Sequence, residues 1–105
     1  MSTFCIVVTK CGSETEARRI AVTAVERRLA AAAHCHGPVV SVYRWQGKVE
    51  EAREWECVLK TTRSCFERLE SLIRQCHSYA TPCVLALPVE SGSHRYLQWL
   101  EEQVG

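Results

Sequence analysis

Residues 39–62 read VVSVYRWQGKVEEAREWECVLKTT, and the fold follows from how this stretch alternates. Gln46-Gly47-Lys48 marks a tight turn, with glycine supplying the positive φ that a hairpin needs. Before it, Val40 and Val42 point one way while Ser41, Tyr43 and Trp45 point the other. After it, Trp55, Cys57 and Leu59 share one face, opposite Glu54, Glu56, Val58 and Lys60. A period of two predicts two long strands. A first strand starting near Ala32 runs about 14 residues, or roughly 46 Å at ~3.3 Å per residue. A compact domain of about 100 residues has a radius of gyration of only ~13 Å. The arm must therefore bend or project past its own core, and Gly37-Pro38 offers a bend or bulge. What projects carries Tyr43, Trp45 and Trp55, so the sequence predicts an oligomer in which each arm packs on a neighbour.

The chain has 105 residues, expected to form one domain over 1–105, with 47% hydrophobic residues to build a core. Its net charge is +1, with acidic and basic residues interleaved, so no nucleic-acid partner and no membrane partner is expected. No apolar run reaches the length of a membrane span, and the start MSTFCIVV lacks a basic segment and a cleavage site. A cytoplasmic location is the expectation. Seven cysteines are scattered without a CxxC pair and read as reduced, small buried hydrophobes.

Around the hairpin the elements fall in order. Residues 3–9 (TFCIVVT) read as a central strand and Lys10-Cys11-Gly12 as a turn. Ser13-x-x-Glu16 is a capping box opening a helix whose stripe runs from Ala17 to Leu29. After the hairpin, Ser64-x-x-Glu67 is a second capping box, and Phe66, Leu69, Leu72, Ile73 and Cys76 form the stripe of a second helix. Residues 83–87 (CVLAL) read as a last strand, and Tyr96, Leu97, Leu100 and Val104 mark a terminal helix. The order β-α-β-β-α-β plus a helix predicts an α+β, ferredoxin-like fold.

Residue by residue, the chemistry is sparse. The strands lack the aromatic RNA-binding motifs, the first loop lacks a CxxC, and no glycine-rich nucleotide cradle occurs. Cys11 precedes a helix N-terminus, where the dipole lowers a thiol pKa, but reads as a loop cysteine because no histidine is close in sequence. His34 and His36 share a strand face, and a metal site there would need a third ligand from elsewhere. Cys76-His77 ends the second helix, and with Cys83 after the turn offers two sulfurs and one nitrogen for copper or zinc. No nucleophile–base pair can be assigned, so no enzyme is expected.

Several stretches together resemble the CutA family of divalent-cation tolerance proteins. They are Arg28-Leu29-Ala30-Ala31, Ser41-Val42-Tyr43-Arg44-Trp45-Gln46-Gly47-Lys48, Leu59-Lys60-Thr61, Tyr79 with Pro82, Ala86-Leu87-Pro88-Val89 and Tyr96-Leu97-Gln98-Trp99-Leu100. The resemblance implies a homotrimer built around extended hairpins, with Tyr43, Trp45 and Trp55 at the trimer interface. It implies binding of copper or another divalent ion; no metal is expected to be required for the fold. The family's ligands are a cysteine ending strand one and two adjacent histidines after helix two. By position these fall at Val8, Cys76 and His77. The rival expectation is a trimeric small-ligand or anion sensor similar to PII-type signalling proteins, with Lys60 and Tyr79 in clefts between subunits.

Overall fold

A computed structural model describes residues 3–105. Four strands and three helices follow in the order β1 (Phe4–Cys11), α1 (Glu14–Glu26), β2 (Ala32–Trp45), β3 (Lys48–Thr62), α2 (Phe66–Cys76), β4 (Leu85–Pro88) and α3 (His94–Gln103). The strands form one antiparallel sheet in the order β2-β3-β1-β4. The α+β, split βαβ expectation holds for this sheet and these helices.

The hairpin has the expected length. β2 is 14 residues long, and the molecule extends 44 Å along its major axis against 26 and 22 Å across it. Trp45 pairs with Lys48, leaving Gln46 and Gly47 as the loop. Both take positive φ, 51° and 80°, the pairing a two-residue hairpin demands. The β2–β3 register slips between His36 and Val39, so Gly37-Pro38 forms the expected bulge. A side chain at Gly37 would put its Cβ 2.8 Å from Trp55 Cδ1 and 2.9 Å from the Glu54 carbonyl oxygen, so only glycine fits there.

Alternation along β1 buries Cys5, Val7, Thr9 and Cys11 beneath the helices. Val7, Ile20, Leu59, Leu69 and Ile73 are wholly buried between sheet, α1 and α2. On the far side of the sheet, Leu85 and Leu87 of β4 stay exposed beside Val8 and Ile6. Tyr43 and Trp45 are also exposed, at 44% and 50%, along with Val40, Val42 and Val49. Trp55 differs from them, since it is half-buried against its own chain's core.

Four boundaries differ from expectation. β1 continues through Lys10 and Cys11, where the sequence suggests a turn, because Lys10 pairs with Glu56 across the sheet and forms a 3.1 Å ion pair with it. α1 stops at Glu26, three residues before Leu29, where Arg28 enters the left-handed region at φ 58°. The second capping box does not form. A 3₁₀ turn at Arg63–Cys65 leads into α2, and Ser64 Oγ engages Thr62 Oγ1 instead. β4 begins at Leu85, so Cys83 and Val84 precede the strand. Among the described residues no helix is long and apolar enough to cross a membrane.

Candidate metal centre

Three elements bring their ends together at one corner of the sheet. Cys11 closes β1, Glu16 sits in the first turn of α1, and His77 caps the end of α2 in an extended conformation. One donor atom from each lies within 4.8 Å of the others. Cys11 Sγ stands 3.9 Å from His77 Nε2, and Glu16 Oε2 stands 3.5 Å from His77 Nδ1. The Cys11 residue and the His77 side chain are fully buried.

Local chemistry explains each placement. Ser13 Oγ accepts the Glu16 backbone N–H, as the first capping box predicts. The Glu16 carboxylate accepts from Ser78 instead, with Oε1 taking its N–H at 3.0 Å and Oε2 its hydroxyl at 3.3 Å. Arg19, a turn further along α1, donates to the Cys76 carbonyl at 2.6 Å. Together these bonds fix the exit of α2 against α1.

The histidine tautomer follows from its partners. The Lys10 carbonyl can only accept, so His77 Nε2 carries the proton of the 2.7 Å bond between them. Nδ1 is then free to accept the Tyr79 N–H at 3.1 Å. Both ring nitrogens are satisfied in the neutral form. An ion taking either nitrogen must displace one of these bonds.

Burial, reinforced by the neighbouring Glu16 carboxylate, pushes the Cys11 thiol up to about 12. This reverses the expectation of a thiol pKa lowered by the α1 dipole. Cys11 is inside the sheet, and desolvation outweighs the dipole. The thiol is protonated at neutral pH, so a metal ion must expel that proton to bind.

The other sequence candidates lie apart from this cluster. Cys76 packs with the core cluster at the end of α2, and Cys83 is exposed beyond Tyr79. Of the three residues Cys76, His77 and Cys83, only His77 joins Cys11 and Glu16. Val8 points away from the helices, and the cysteine that ends β1 is Cys11, because the strand runs two residues further than expected. His36 Nε2 donates to Glu56 Oε1 at 2.6 Å, and His34 is exposed on the same strand.

Lys60 and Tyr79 are not brought together. Lys60 Nζ donates to the Tyr96 hydroxyl of α3 at 3.1 Å. Tyr79 instead borders a groove of about 560 Å³ with Tyr43, Trp45 and Glu54. Its hydroxyl donates to Glu54 Oε2 at 2.9 Å, and burial with this bond pushes the phenol up to about 12.

The residues that sequence reasoning misses are Cys11 and Glu16. Cys11 continues the alternation of Cys5, Val7 and Thr9, and Glu16 stands in a capping box, so each has a local explanation. Their meeting with His77, 66 residues away from Cys11, is a property of the fold alone.

A split βαβ sheet with an overlong hairpin, and a thiol, a carboxylate and an imidazole gathered where β1 meets α1, define a class of small α+β proteins with a candidate cation site. The chain matches the family described as CutA1 divalent ion tolerance protein over residues 5–103, and it belongs to that family. It is 40% identical over 100 residues to the divalent-cation tolerance protein CutA of Thermus thermophilus, covering 95% of this chain and 97% of that one. It is 40% identical over 92 residues to Protein CutA of Homo sapiens, covering 88% of this chain and 51% of the human protein. The solved structure of the divalent cation tolerance protein from Thermus thermophilus superposes with a TM-score of 0.95 over 97% of this chain and 99% of that chain, at 39% identity.

Proposed function

We propose that this chain binds a divalent cation of borderline softness, copper or zinc, at Cys11, Glu16 and His77. The observation that carries this reading is the convergence of three different donors, each from a separate element, within 4.8 Å. One sulfur, one nitrogen and one oxygen suit zinc or copper, whereas magnesium and calcium prefer oxygen alone. In a tetrahedral site, bonds of ~2.0–2.3 Å set donors about 3.5 Å apart, so the cluster must contract by roughly 1 Å. A solvent molecule would supply the fourth position. The names of the relatives, which speak of divalent-cation tolerance, point the same way.

The working form we propose is a cytosolic homotrimer without enzymatic activity. Support for assembly comes from Val40, Val42, Tyr43, Trp45 and Val49, which one chain leaves exposed along its arm. Support for the cytosol comes from the seven free thiols, which a reducing compartment preserves.

Zn(II) titration by calorimetry tests the site. Wild type should bind one ion per chain, and Cys11→Ser and His77→Ala should each weaken binding at least ~10-fold. Cys76→Ser and Cys83→Ser should bind as wild type does. Equal affinity in all five proteins would remove the site.

A further inference from the structure

A pair of thiols lies beside that centre without belonging to it. Cys35 on β2 and Cys57 on β3 are direct cross-strand partners, so their side chains share one face of the sheet. Cys57 is wholly buried and Cys35 half-buried. Across the next strand boundary, Cys57 faces Thr9 of β1. Thr9 is also wholly buried, and its Oγ1 has no hydrogen-bond partner. An orphan hydroxyl in a protein core calls for an explanation.

We propose that Cys35 and Cys57 form a second site, made of thiols alone, for a thiophilic monovalent cation of the Cu(I) class. The pair shares no ligand with the centre at Cys11, Glu16 and His77, although Cys11 is an electrostatic neighbour of both thiols. Cross-strand neighbours have Cβ atoms about 4.5–5.5 Å apart. Two metal–sulfur bonds of ~2.3 Å span sulfurs up to about 4.6 Å apart, so one ion bridges this pair without moving a strand. The site offers two soft donors and no carboxylate, which favours a soft ion of low coordination number over Zn(II). Thr9 then acquires a role. A thiol is a weak acceptor, but a metal-bound thiolate at Cys57 is a strong one directly opposite the unused hydroxyl donor.

Access and charge are consistent with this use. Cys35 lines a surface hollow of about 390 Å³ with Glu14, Arg18, His36 and Trp55, so an ion reaches the pair from solvent through Cys35. Binding releases one proton from each thiol to water as its sulfur–copper bond forms. The ion arrives as Cu(I), and no electron is transferred. The product carries one negative charge, which the Thr9 donor opposes; Arg18 at the rim is already paired with Glu14 at 3.5 Å.

The experiment titrates the reduced full chain anaerobically with Cu(I) against a colorimetric Cu(I) chelator. It is run in a Cys11→Ser/His77→Ala background, so that the first centre contributes nothing and the two sites fail separately. That parent should take up one Cu(I) with thiolate-to-copper absorption in the near ultraviolet. Adding Cys35→Ala should weaken binding by more than ~100-fold and Thr9→Val by about 10-fold, the latter a typical loss for an outer-shell partner. Cys35 is only half-buried, so its variant should keep the parent's circular dichroism even if Cys57→Ala does not fold. Undiminished Cu(I) affinity after Cys35→Ala overturns the site. So does a parent that takes up no Cu(I), including one whose Cys35 and Cys57 are recovered as a disulfide after exposure to peroxide.

Discussion

Cys11 Sγ and His77 Nε2 stand 3.9 Å apart although 66 residues separate them in the chain. The contact joins the last residue of β1 to the residue that ends α2. Because burial pushes this thiol up to about 12, a bound cation competes with a proton throughout the neutral range. Zn(II) affinity should therefore rise about tenfold per pH unit between pH 6 and 9. Calorimetry at several pH values checks this, and a flat profile would show that Cys11 is not a ligand.

The same thiol sets an alkaline limit on folding. The folded-state value of about 12 lies above the ordinary 9.0. Between those values the folded chain holds a proton that the unfolded chain has released, so stability is full below pH 9 and declines as pH rises above it. Each such thiol contributes a slope of about 1.4 kcal/mol per pH unit in that window. Cys57, raised in the same direction by burial and Cys35, steepens it. Urea midpoints should fall from pH 8 to pH 11, and Cys11→Ala should flatten the decline. An unchanged midpoint in wild type would contradict the burial of these thiols.

Gly37→Ala and Gly12→Ala should behave differently. At Gly37 the new Cβ meets the Glu54 backbone and Trp55, which cannot yield, so a loss of about 1–3 kcal/mol is expected. At Gly12 the nearest atom is the Tyr79 hydroxyl at 3.2 Å, the end of a side chain that can shift. Thermal melts should rank Gly37→Ala well below Gly12→Ala, and the reverse order would refute the packing at the bulge.

Trp45→Ala should weaken assembly while leaving the protomer folded. Trp45 is 50% exposed on its own chain, so truncation there removes little of the chain's own core. Light scattering at micromolar concentration should show trimer for wild type and smaller species for the variant. A variant that assembles as wild type does would exclude Trp45 as an anchor.

The hairpin, its turn and the helical stripes are legible in the sequence because each follows a single local period. Strand ends are less so. Lys10 looks like loop chemistry, and only its partner Glu56 on β3 makes it a strand residue. Ser64 and Glu67 have the spacing of a capping box, yet Ser64 engages Thr62 and a 3₁₀ turn occupies the position. The metal candidate is half legible. His77 stands out by its own chemistry, whereas Cys11 and Glu16 have ordinary explanations until the fold places them beside it. Lys60 and Tyr79, expected in clefts between subunits, have separate surroundings within one chain: Lys60 meets Tyr96, and Tyr79 meets Glu54.

The irregularity at Gly37-Pro38 has a bearing on solubility. β2 is an edge strand, and a regular edge of 14 residues would template another chain along its whole length. Pro38 has no N–H to offer, and the bulge twists the strand at that point. The edge is thereby cut into two shorter segments, residues 32–36 and 39–45, so no unbroken ladder can run along its whole length. A chain whose arm leaves Val40, Val42, Tyr43 and Trp45 exposed thus limits how far a second strand can extend along its edge.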